Sequence, residues 1–351
     1  MKTFEHGGNI YNADGQTENW LDFSANINPI GLSETVKTTI INHIDGLVHY
    51  PDPQARELKS AISARYNIAF DNILTLNGAA EFFYLFFNTL RPCRVIIPVP
   101  SFSEYDRAAR SASCEVKYFF TQAEKSFKIP FDELIETICA EDISCIVLAN
   151  PNNPTGNILE SREIIELLEN VEFVVIDESF ADFLGDEYSV RQLTKSYSNL
   201  VVVQSLTKFF AIPGLRLGFA IADETVINQL ELGKDVWNVN YLAQKAGAAA
   251  LNDVDYINET RRWIVEEKEY ITDRLRNIEG ITFFEPTVNF VLIKFKTVET
   301  AHKVIDILKS HNILVRSCAN FPGLDGSYIR MAIRCREENC KVLDVLERLS
   351  K

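Results

Sequence analysis

The chain has 351 residues, of which 46% are hydrophobic and 24% are charged, and its formal net charge is −14. This acidity argues against nonspecific binding to nucleic acids or to anionic membrane surfaces. There is no apolar signal core at the N-terminus, no apolar run that could span a bilayer and no C-x-x-C among the seven cysteines, so we expect a cytoplasmic protein with unpaired thiols.

Short β-branched runs alternate with amphipathic helical segments from about residue 45 to residue 240. Near-continuous apolar strands separated by helices are typical of a mainly parallel sheet that is buried on both faces. We therefore predict a three-layer α/β/α domain. The predicted strands are 73–76, 94–98, 144–150, 172–177, 200–205 and 217–222, and the clearest predicted helices are 54–66, 131–140 and 161–170.

The pattern changes after residue 250, where a long charged helix is predicted over residues 255–278. Shorter elements follow, and together they predict a smaller α+β domain. Its strands are expected near 281–284, 289–295 and 328–334, and its helices near 300–310 and 336–349. We therefore expect an N-terminal segment at 1–44 that packs with the small domain, a large domain at 45–250 and a small C-terminal domain at 251–351.

Polar or turn-forming clusters follow five of the predicted strands. Ligands of open α/β sheets bind in the crevice beyond the carboxyl ends of the strands, so these clusters are expected to converge on one site. The clusters are NGAAE at 77–81, SFSEY at 101–105, NPNNPTG at 150–156, Asp177, and SLTK at 205–208.

Lys208 is the most informative of these residues, because apolar neighbours surround it in the sequence. A lysine in apolar surroundings has a lowered pKa, and its neutral amine can attack a carbonyl group. Ser205 and Arg216 could hold a phosphate, as could the first N–H groups of a helix at Ala79 and Ala80. Taken alone, each signal also has a plainer interpretation, such as a surface lysine or a helix cap.

Phe102 and Asp177 complete a set of groups with a common use. Phe102 could lie on an aromatic ligand ring, and the Asp177 carboxylate could bind a protonated ring nitrogen. A nucleotide site would require a GxxxxGK[ST] or GxGxxG loop, and the chain has neither, so we predict no metal site and no dinucleotide site. An amine, a phosphate site, a ring stacker and a carboxylate together fit pyridoxal 5′-phosphate.

Three motifs, NPNNPTG, VVIDESF (174–180) and SLTKFFAIPGLRLGF (205–219), resemble the fold-type I pyridoxal-phosphate enzymes of the class I/II aminotransferase group. The resemblance covers essentially the whole chain. It implies that Lys208 binds the cofactor covalently, that Asp177 pairs with the ring nitrogen, and that the enzyme is a homodimer with its site at the subunit interface. The remaining cofactor-binding residues that it implies are Gly78, Ala79, Ala80, Phe102, Asn153, Ser205 and Arg216, with Tyr50 reaching the phosphate from the partner subunit.

Two relatives within this group remain alternatives. Histidinol-phosphate aminotransferases share YPDP (50–53), whereas HGGN (6–9), DFSANINPIG (22–31) and the stretch 313–334 resemble threonine-phosphate decarboxylases. The second resemblance implies decarboxylation of L-threonine O-3-phosphate to 1-amino-2-propanol phosphate, a step toward cobalamin. The substrate-binding residues that it implies are His6, Gly7, Asn26, Asn153, Arg316 and Arg330.

One departure from the aminotransferases favours the decarboxylase. Phe180 occupies the position of a tyrosine that donates to the cofactor hydroxyl in the aminotransferases that the chain resembles. A third hypothesis, a non-catalytic cofactor-sensing module, is disfavoured because such modules carry an appended DNA-binding segment, and this acidic chain starts almost directly with HGGN.

Overall fold

The computed structural model of the protein describes residues 6–12 and 14–349, and strands and helices alternate along them. The strands are β1 (Leu21–Asp22), β2 (Ile73–Leu76), β3 (Arg94–Val99), β4 (Glu115–Phe120), β5 (Cys145–Ala149), β6 (Phe173–Asp177), β7 (Leu200–Ser205), β8 (Gly218–Ile221), β9 (Ile281–Phe284), β10 (Phe290–Phe295), β11 (Ile313–Leu314), β12 (Arg316–Ser317) and β13 (Tyr328–Ala332). The α-helices are α1 (Glu34–His43), α2 (Arg56–Tyr66), α3 (Ala79–Leu90), α4 (Glu104–Ser111), α5 (Phe131–Ala140), α6 (Ser161–Leu168), α7 (Leu206–Phe209), α8 (Glu224–Gly233), α9 (Tyr241–Leu251), α10 (Val254–Leu275), α11 (Val298–Ser310) and α12 (Arg336–Leu349).

A seven-stranded sheet forms the centre of the molecule, with the strand order β2-β8-β7-β6-β5-β3-β4. All of its neighbouring pairs are parallel except those of β8, which runs antiparallel to both β2 and β7. The prediction of a mainly parallel α/β sheet is therefore confirmed. The sequence analysis did not identify β4, because this edge strand is only partly buried and lacks a continuous apolar run.

The central strands send alternate side chains to two separate cores. In β7, for example, Val201 and Val203 pack with the phenylalanines of α3, whereas Leu200 and Val202 pack with residues of α5 and α6. Because successive side chains of a strand point to opposite faces, a sheet that is covered on both faces needs apolar residues at every position. This requirement explains the unbroken apolar runs of β5 and β7.

A second, four-stranded antiparallel sheet has the order β12-β13-β10-β9. The N-terminal part of the chain reaches the same region, because β1 pairs in parallel with β11 through Leu21 and Ile313. The same segment also contacts the helical turn that follows strand β7 of the large sheet, because the Asn28 N–H donates to the carbonyl of Lys208 at 3.0 Å. The division of the chain after residues 44 and 250 stays a prediction.

Strand direction determines which residues meet at one edge of the large sheet. β2, β3, β5, β6 and β7 run in one direction, so their carboxyl ends share an edge. The antiparallel strand β8 begins at that same edge, which brings Arg216, two residues before β8, beside the ends of the other strands.

Two further expectations concern the chain as a whole. All seven cysteines are free, with Cys114, Cys145 and Cys318 buried and Cys93 and Cys139 exposed. Within residues 6–12 and 14–349, none of the helices combines the length and the apolar character needed to cross a bilayer.

Candidate active site

A cavity of about 630 Å³ lies at this edge of the large sheet, between the sheet, the N-terminal segment and the four-stranded sheet. Most of the residues that the sequence analysis selected line it. They are His6, Gly7, Asn26, Ala79, Ala80, Phe102, Asn153, Asp177, Ser205, Lys208, Arg216, Arg316 and Arg330.

Lys208 lies in the single turn of helix α7, directly after strand β7. Its Nζ donates to the Ser205 Oγ at 3.0 Å and lies 5.5 Å from the centroid of the Phe180 ring. Burial lowers the pKa of Lys208 to about 8, and the cations Arg216 and Arg330 act in the same direction against the opposing effect of Asp177. About a tenth of this amine is therefore neutral and nucleophilic at pH 7, far more than for a lysine with an ordinary pKa.

Asp177 is buried at the end of strand β6, and both of its carboxylate oxygens accept hydrogen bonds. Oδ1 accepts from the Ser179 N–H at 2.8 Å, and Oδ2 accepts from the Tyr105 hydroxyl at 2.7 Å. These donors orient the carboxylate while leaving it further acceptor capacity. Tyr105 was not selected from the sequence, where it appeared only as the last residue of the SFSEY cluster, and its position three residues after Phe102 was the available signal.

An anion site is formed where helix α3 begins at Ala79. The first N–H groups of a helix have no partner within the helix, and they carry the positive end of its dipole. Gly78 precedes them with a φ of +83°, and a Cβ at this position would lie 2.5 Å from Arg216 Nη2. Gly78 therefore lets the Arg216 guanidinium approach the helix start, although Gly78 itself does not line the cavity.

Two arginines face each other on the opposite side of the site. Arg316 of β12 and Arg330 of β13 are direct cross-strand partners, a pairing that is unfavourable for like charges unless an anion is bound between or beside them. Arg316 donates to Asn320 Oδ1 at 2.6 Å, and its guanidinium lies over the Phe321 ring.

Arg330 is buried, and burial lowers its pKa to about 10. Its guanidinium donates to Asn153 Oδ1 and to the Ser24 carbonyl, both at 2.6 Å. Its Nε, and both polar side-chain atoms of the buried Asn26, have no hydrogen-bond partner among the described residues. Buried polar groups in native proteins are almost always paired, so these atoms indicate a site that a polar ligand completes.

The HGGN segment is fixed against the wall of the cavity. The Gly8 N–H donates to Ser24 Oγ at 2.8 Å, and Gly7 packs so closely that a Cβ there would lie 2.0 Å from the Ser24 carbonyl oxygen. The His6 ring lies 5.6 Å from the Phe102 ring, and its Nε2 is 2.9 Å from Glu104 Oε1. Glu104 was not selected from the sequence, because nothing in the chain pattern connects residues 6 and 104.

Tyr50, like Gly78, does not line the cavity, and its side chain points elsewhere. Its side chain is exposed and stacks on Trp237, with the ring centroids 4.3 Å apart. A role for Tyr50 in this site requires a partner subunit and stays a prediction. In sum, the cavity combines a nucleophilic amine, an oriented carboxylate, an anion site at a helix start and a second cationic region, a set suited to a phosphorylated aldehyde and an anionic amine substrate.

Comparison with known proteins places the chain in a family. The model of the class I and II aminotransferases matches residues 18–346. A protein of Caldanaerobacter subterraneus subsp. tengcongensis that carries threonine-phosphate decarboxylase as a provisional name is 38% identical over 99% of this chain and 95% of its own length. The threonine-phosphate decarboxylase of Salmonella typhimurium is 33% identical, over 97% of this chain and 95% of its own.

Solved structures agree on the fold. The histidinol-phosphate aminotransferase of Clostridium acetobutylicum superposes with a TM-score of 0.87 at 32% identity, covering 93% of this chain and 98% of that chain. The L-threonine-O-3-phosphate decarboxylase of Porphyromonas gingivalis superposes with a TM-score of 0.82 at 28% identity over the same shares. The chain belongs to the class I and II aminotransferase family and has its fold-type I architecture.

Proposed function

We propose that the protein is a pyridoxal-phosphate-dependent lyase that decarboxylates L-threonine O-3-phosphate to 1-amino-2-propanol phosphate, a step of cobalamin biosynthesis. The similarity to threonine-phosphate decarboxylases over nearly the whole chain supports this activity. The structural observation that carries the proposal is the cross-strand pair of Arg316 and Arg330 in the cavity that contains Lys208. A substrate with both a carboxylate and a phosphate matches two adjacent cations.

The residues of the cavity fit pyridoxal phosphate. Arg216, Ser205 and the start of helix α3 would hold its phosphate, Asp177 would face its ring nitrogen, and Phe102 would cover its ring. When bound, the cofactor supplies an aldehyde that captures amines and a cationic ring that accepts the electron pair released at the substrate Cα.

The chain's own residues would then determine which bond at Cα breaks. Arg330, held by Asn153 and the Ser24 carbonyl, has a fixed direction and would bind one anionic end of the substrate, while Arg316 would bind the other. Two fixed ends leave the substrate little freedom to rotate about its Cα, which is the condition for selective cleavage. Lys208 Nζ, next to Ser205, would return a proton to Cα after the loss of CO₂.

Transamination of histidinol phosphate is the alternative, and the high TM-score to a histidinol-phosphate aminotransferase favours it. Histidinol phosphate has one anionic group and would therefore use the arginine pair incompletely. Phe180 also places an apolar ring, without a hydroxyl, beside Lys208.

The two activities are separated by incubating the purified holoenzyme with each substrate. We expect CO₂ and 1-amino-2-propanol phosphate from L-threonine O-3-phosphate. Formation of pyridoxamine phosphate from histidinol phosphate, with no CO₂ from threonine phosphate, would replace the proposal by the alternative.

We also infer that the protein forms a homodimer with Tyr50 reaching the partner's site. Large apolar side chains are exposed shortly before Tyr50 in the sequence and at Trp237, on which Tyr50 stacks, and its neighbour. Exposed apolar side chains of this kind are typical of a surface that another subunit covers. They are Ile41, Ile44, Leu47, Val48, Val236 and Trp237. Sedimentation equilibrium of the holoenzyme tests the stoichiometry, and a monomer at micromolar concentration would contradict it.

A further inference from the structure

Glu104 is a buried carboxylate that lies behind the cavity wall rather than in it. It begins helix α4, and its side chain is absent from the residues that line the cavity, whereas His6, Ser103 and Tyr105 are present. Its Oε1 accepts from His6 Nε2 at 2.9 Å, and its Oε2 accepts from the Tyr84 hydroxyl at 2.9 Å.

The position of this carboxylate is unexpected next to a site for anions. The cavity concentrates cations, including Lys208, Arg216, Arg316 and Arg330. A carboxylate at the start of a helix gains from the helix dipole, but an exposed glutamate would gain in the same way without the cost of burial. The arrangement is explained if the charge of Glu104 acts on the ligand through His6.

The contacts of His6 are suited to such a role. The Nε2 atom of His6 is hydrogen-bonded to Glu104, while its Nδ1 atom has no hydrogen-bond partner among the described residues. Phe102 borders one side of the imidazole ring, and Gly7 and Gly8 fix the backbone against Ser24. The hydrogen bond from His6 lowers the pKa of the Glu104 carboxyl against the opposing effect of burial, so the acceptor is an ionised carboxylate.

We propose that Glu104 is a positioning residue that holds His6 through Nε2, so that the second ring nitrogen, Nδ1, donates to the phosphate of the substrate. This inference rests on the proposed function, in which His6 contacts a phosphorylated substrate. A neutral histidine that donates through Nε2 would present a lone pair at Nδ1 and repel a phosphate oxygen. With the phosphate bound, anions would flank both ring nitrogens, and both nitrogens would then donate.

Arg107 is the other charged group near this carboxylate. Its Nη1 lies 3.6 Å from Glu104 Oε1, but its side chain is largely exposed, so solvent screens this interaction. Tyr84, by contrast, donates a hydrogen bond only to Oε2 of Glu104, whereas His6 is bonded to Oε1. Tyr84→Phe therefore changes the surroundings of the same carboxylate while leaving its charge and its contact with His6.

The test compares Glu104→Gln with His6→Ala, the double variant and the control Tyr84→Phe. Glutamine keeps the size and an acceptor oxygen but removes the charge. We expect Glu104→Gln to raise KM for L-threonine O-3-phosphate about 10-fold, the effect of losing a hydrogen bond to a charged group, with kcat changed less than about 2-fold. His6→Ala should raise KM at least as much, the double variant no further, and Tyr84→Phe less than about 2-fold.

A binding measurement gives a readout independent of turnover. Calorimetric titration of each holoenzyme with inorganic phosphate should show weaker binding in Glu104→Gln by a similar factor, and binding of L-threonine, which lacks the phosphate, should not change. A Glu104→Gln enzyme that binds phosphate like the wild type, while His6→Ala does not, would overturn the inference and leave the proposed function intact. Equal losses for threonine and phosphate, or a parallel fall of kcat and thermal stability, would identify Glu104 as purely structural and also overturn it.

Failure of the proposed function gives a different result. In that case the wild-type enzyme would release no CO₂ from threonine phosphate. The phosphate titrations of the wild type and the four variants would still decide whether Glu104 acts through His6 on a phosphate.

Discussion

Replacing Arg330 with methionine should remove activity with little effect on stability. The side chain is buried and donates two hydrogen bonds, to Asn153 and to the Ser24 carbonyl. If Arg330 had only a structural role, its removal would therefore lower the free energy of unfolding strongly. Arg330 also lies directly across the sheet from Arg316, and its Nε has no hydrogen-bond partner among the described residues. A binding residue is expected to carry such unfavourable features in the absence of its ligand.

The opposing contributions can be compared in magnitude. The two hydrogen bonds contribute about 1.5–3 kcal/mol each, because the donor is charged. Repulsion between two cross-strand guanidinium groups at an effective dielectric constant of about 20 costs on the order of a few kcal/mol. Burial of the charge costs several kcal/mol more, which methionine of similar length avoids. We therefore expect the free energy of unfolding to change by less than about 2 kcal/mol in either direction.

Arg191 provides a matched control: it is 2% exposed, and its Nη1 also has no hydrogen-bond partner among the described residues, but carboxylates neutralise its charge. Its Nη2 lies 3.2 Å from Asp186, Asp182 is within 4.0 Å, and its guanidinium stacks on Tyr66. Arg191→Met leaves the buried Asp182 without its cationic partner, although Asp186 keeps Arg65 and Arg261, and it should lower the free energy of unfolding by about 3–5 kcal/mol.

Urea unfolding of the cofactor-free proteins measures these differences, and kcat/KM for L-threonine O-3-phosphate measures activity. Arg330→Met should lower kcat/KM at least about 100-fold, since one charge-assisted substrate contact is lost together with the orientation of Asn153. A loss of more than about 4 kcal/mol in Arg330→Met, equal to that of Arg191→Met, would refute the assignment of Arg330 as a binding residue.

Three further predictions follow from the site. Lys208→Ala should lose the visible absorbance that borohydride bleaches. In the wild-type apoprotein, the rate of pyridoxal phosphate capture should rise with pH around a midpoint near 8, because only the neutral amine reacts. A midpoint above 10 would contradict the lowered pKa of Lys208. Tyr105→Phe should weaken equilibrium binding of the cofactor about 10-fold by leaving Asp177 less well oriented, and unchanged binding would remove Tyr105 from the site. Lys208→Ala and Tyr50→Ala proteins should each be nearly inactive alone. When they are mixed equally and exchange subunits, half of the dimers contain one complete site of two, so about a quarter of wild-type activity should return. No recovery would show that Tyr50 does not act from the partner subunit.

The large sheet and the residues at the ends of its strands were predictable from the sequence. Mainly apolar runs such as 145–149 and 200–205, separated by helical segments, are typical of strands that are covered on both faces. Once those strands are parallel, the residues that follow them share one edge, which is why Asn153, Asp177 and Lys208 could be grouped without coordinates. The family resemblance then supplied their expected roles.

Pairings between distant parts of the chain were decided only by the tertiary structure. The sequence does not show that Arg316 lies opposite Arg330, because register in a short antiparallel pair depends on packing and turn geometry rather than on local pattern. The same holds for the contact of His6 with Glu104, 98 residues apart.

Local sequence also cannot distinguish a buried functional group from a buried structural one. In the sequence, Tyr105 is one residue of a polar cluster, whereas in the structure its hydroxyl donates to Asp177. Tyr50 lies outside the cavity of its own chain. The sequence by itself determined the sheet and predicted the reactive lysine and the cofactor chemistry, because these depend on local periodicity, strand ends and the family resemblance. Only the tertiary structure decided how charges from separate segments are brought together, since that depends on long-range packing, and we expect these charges to select the substrate.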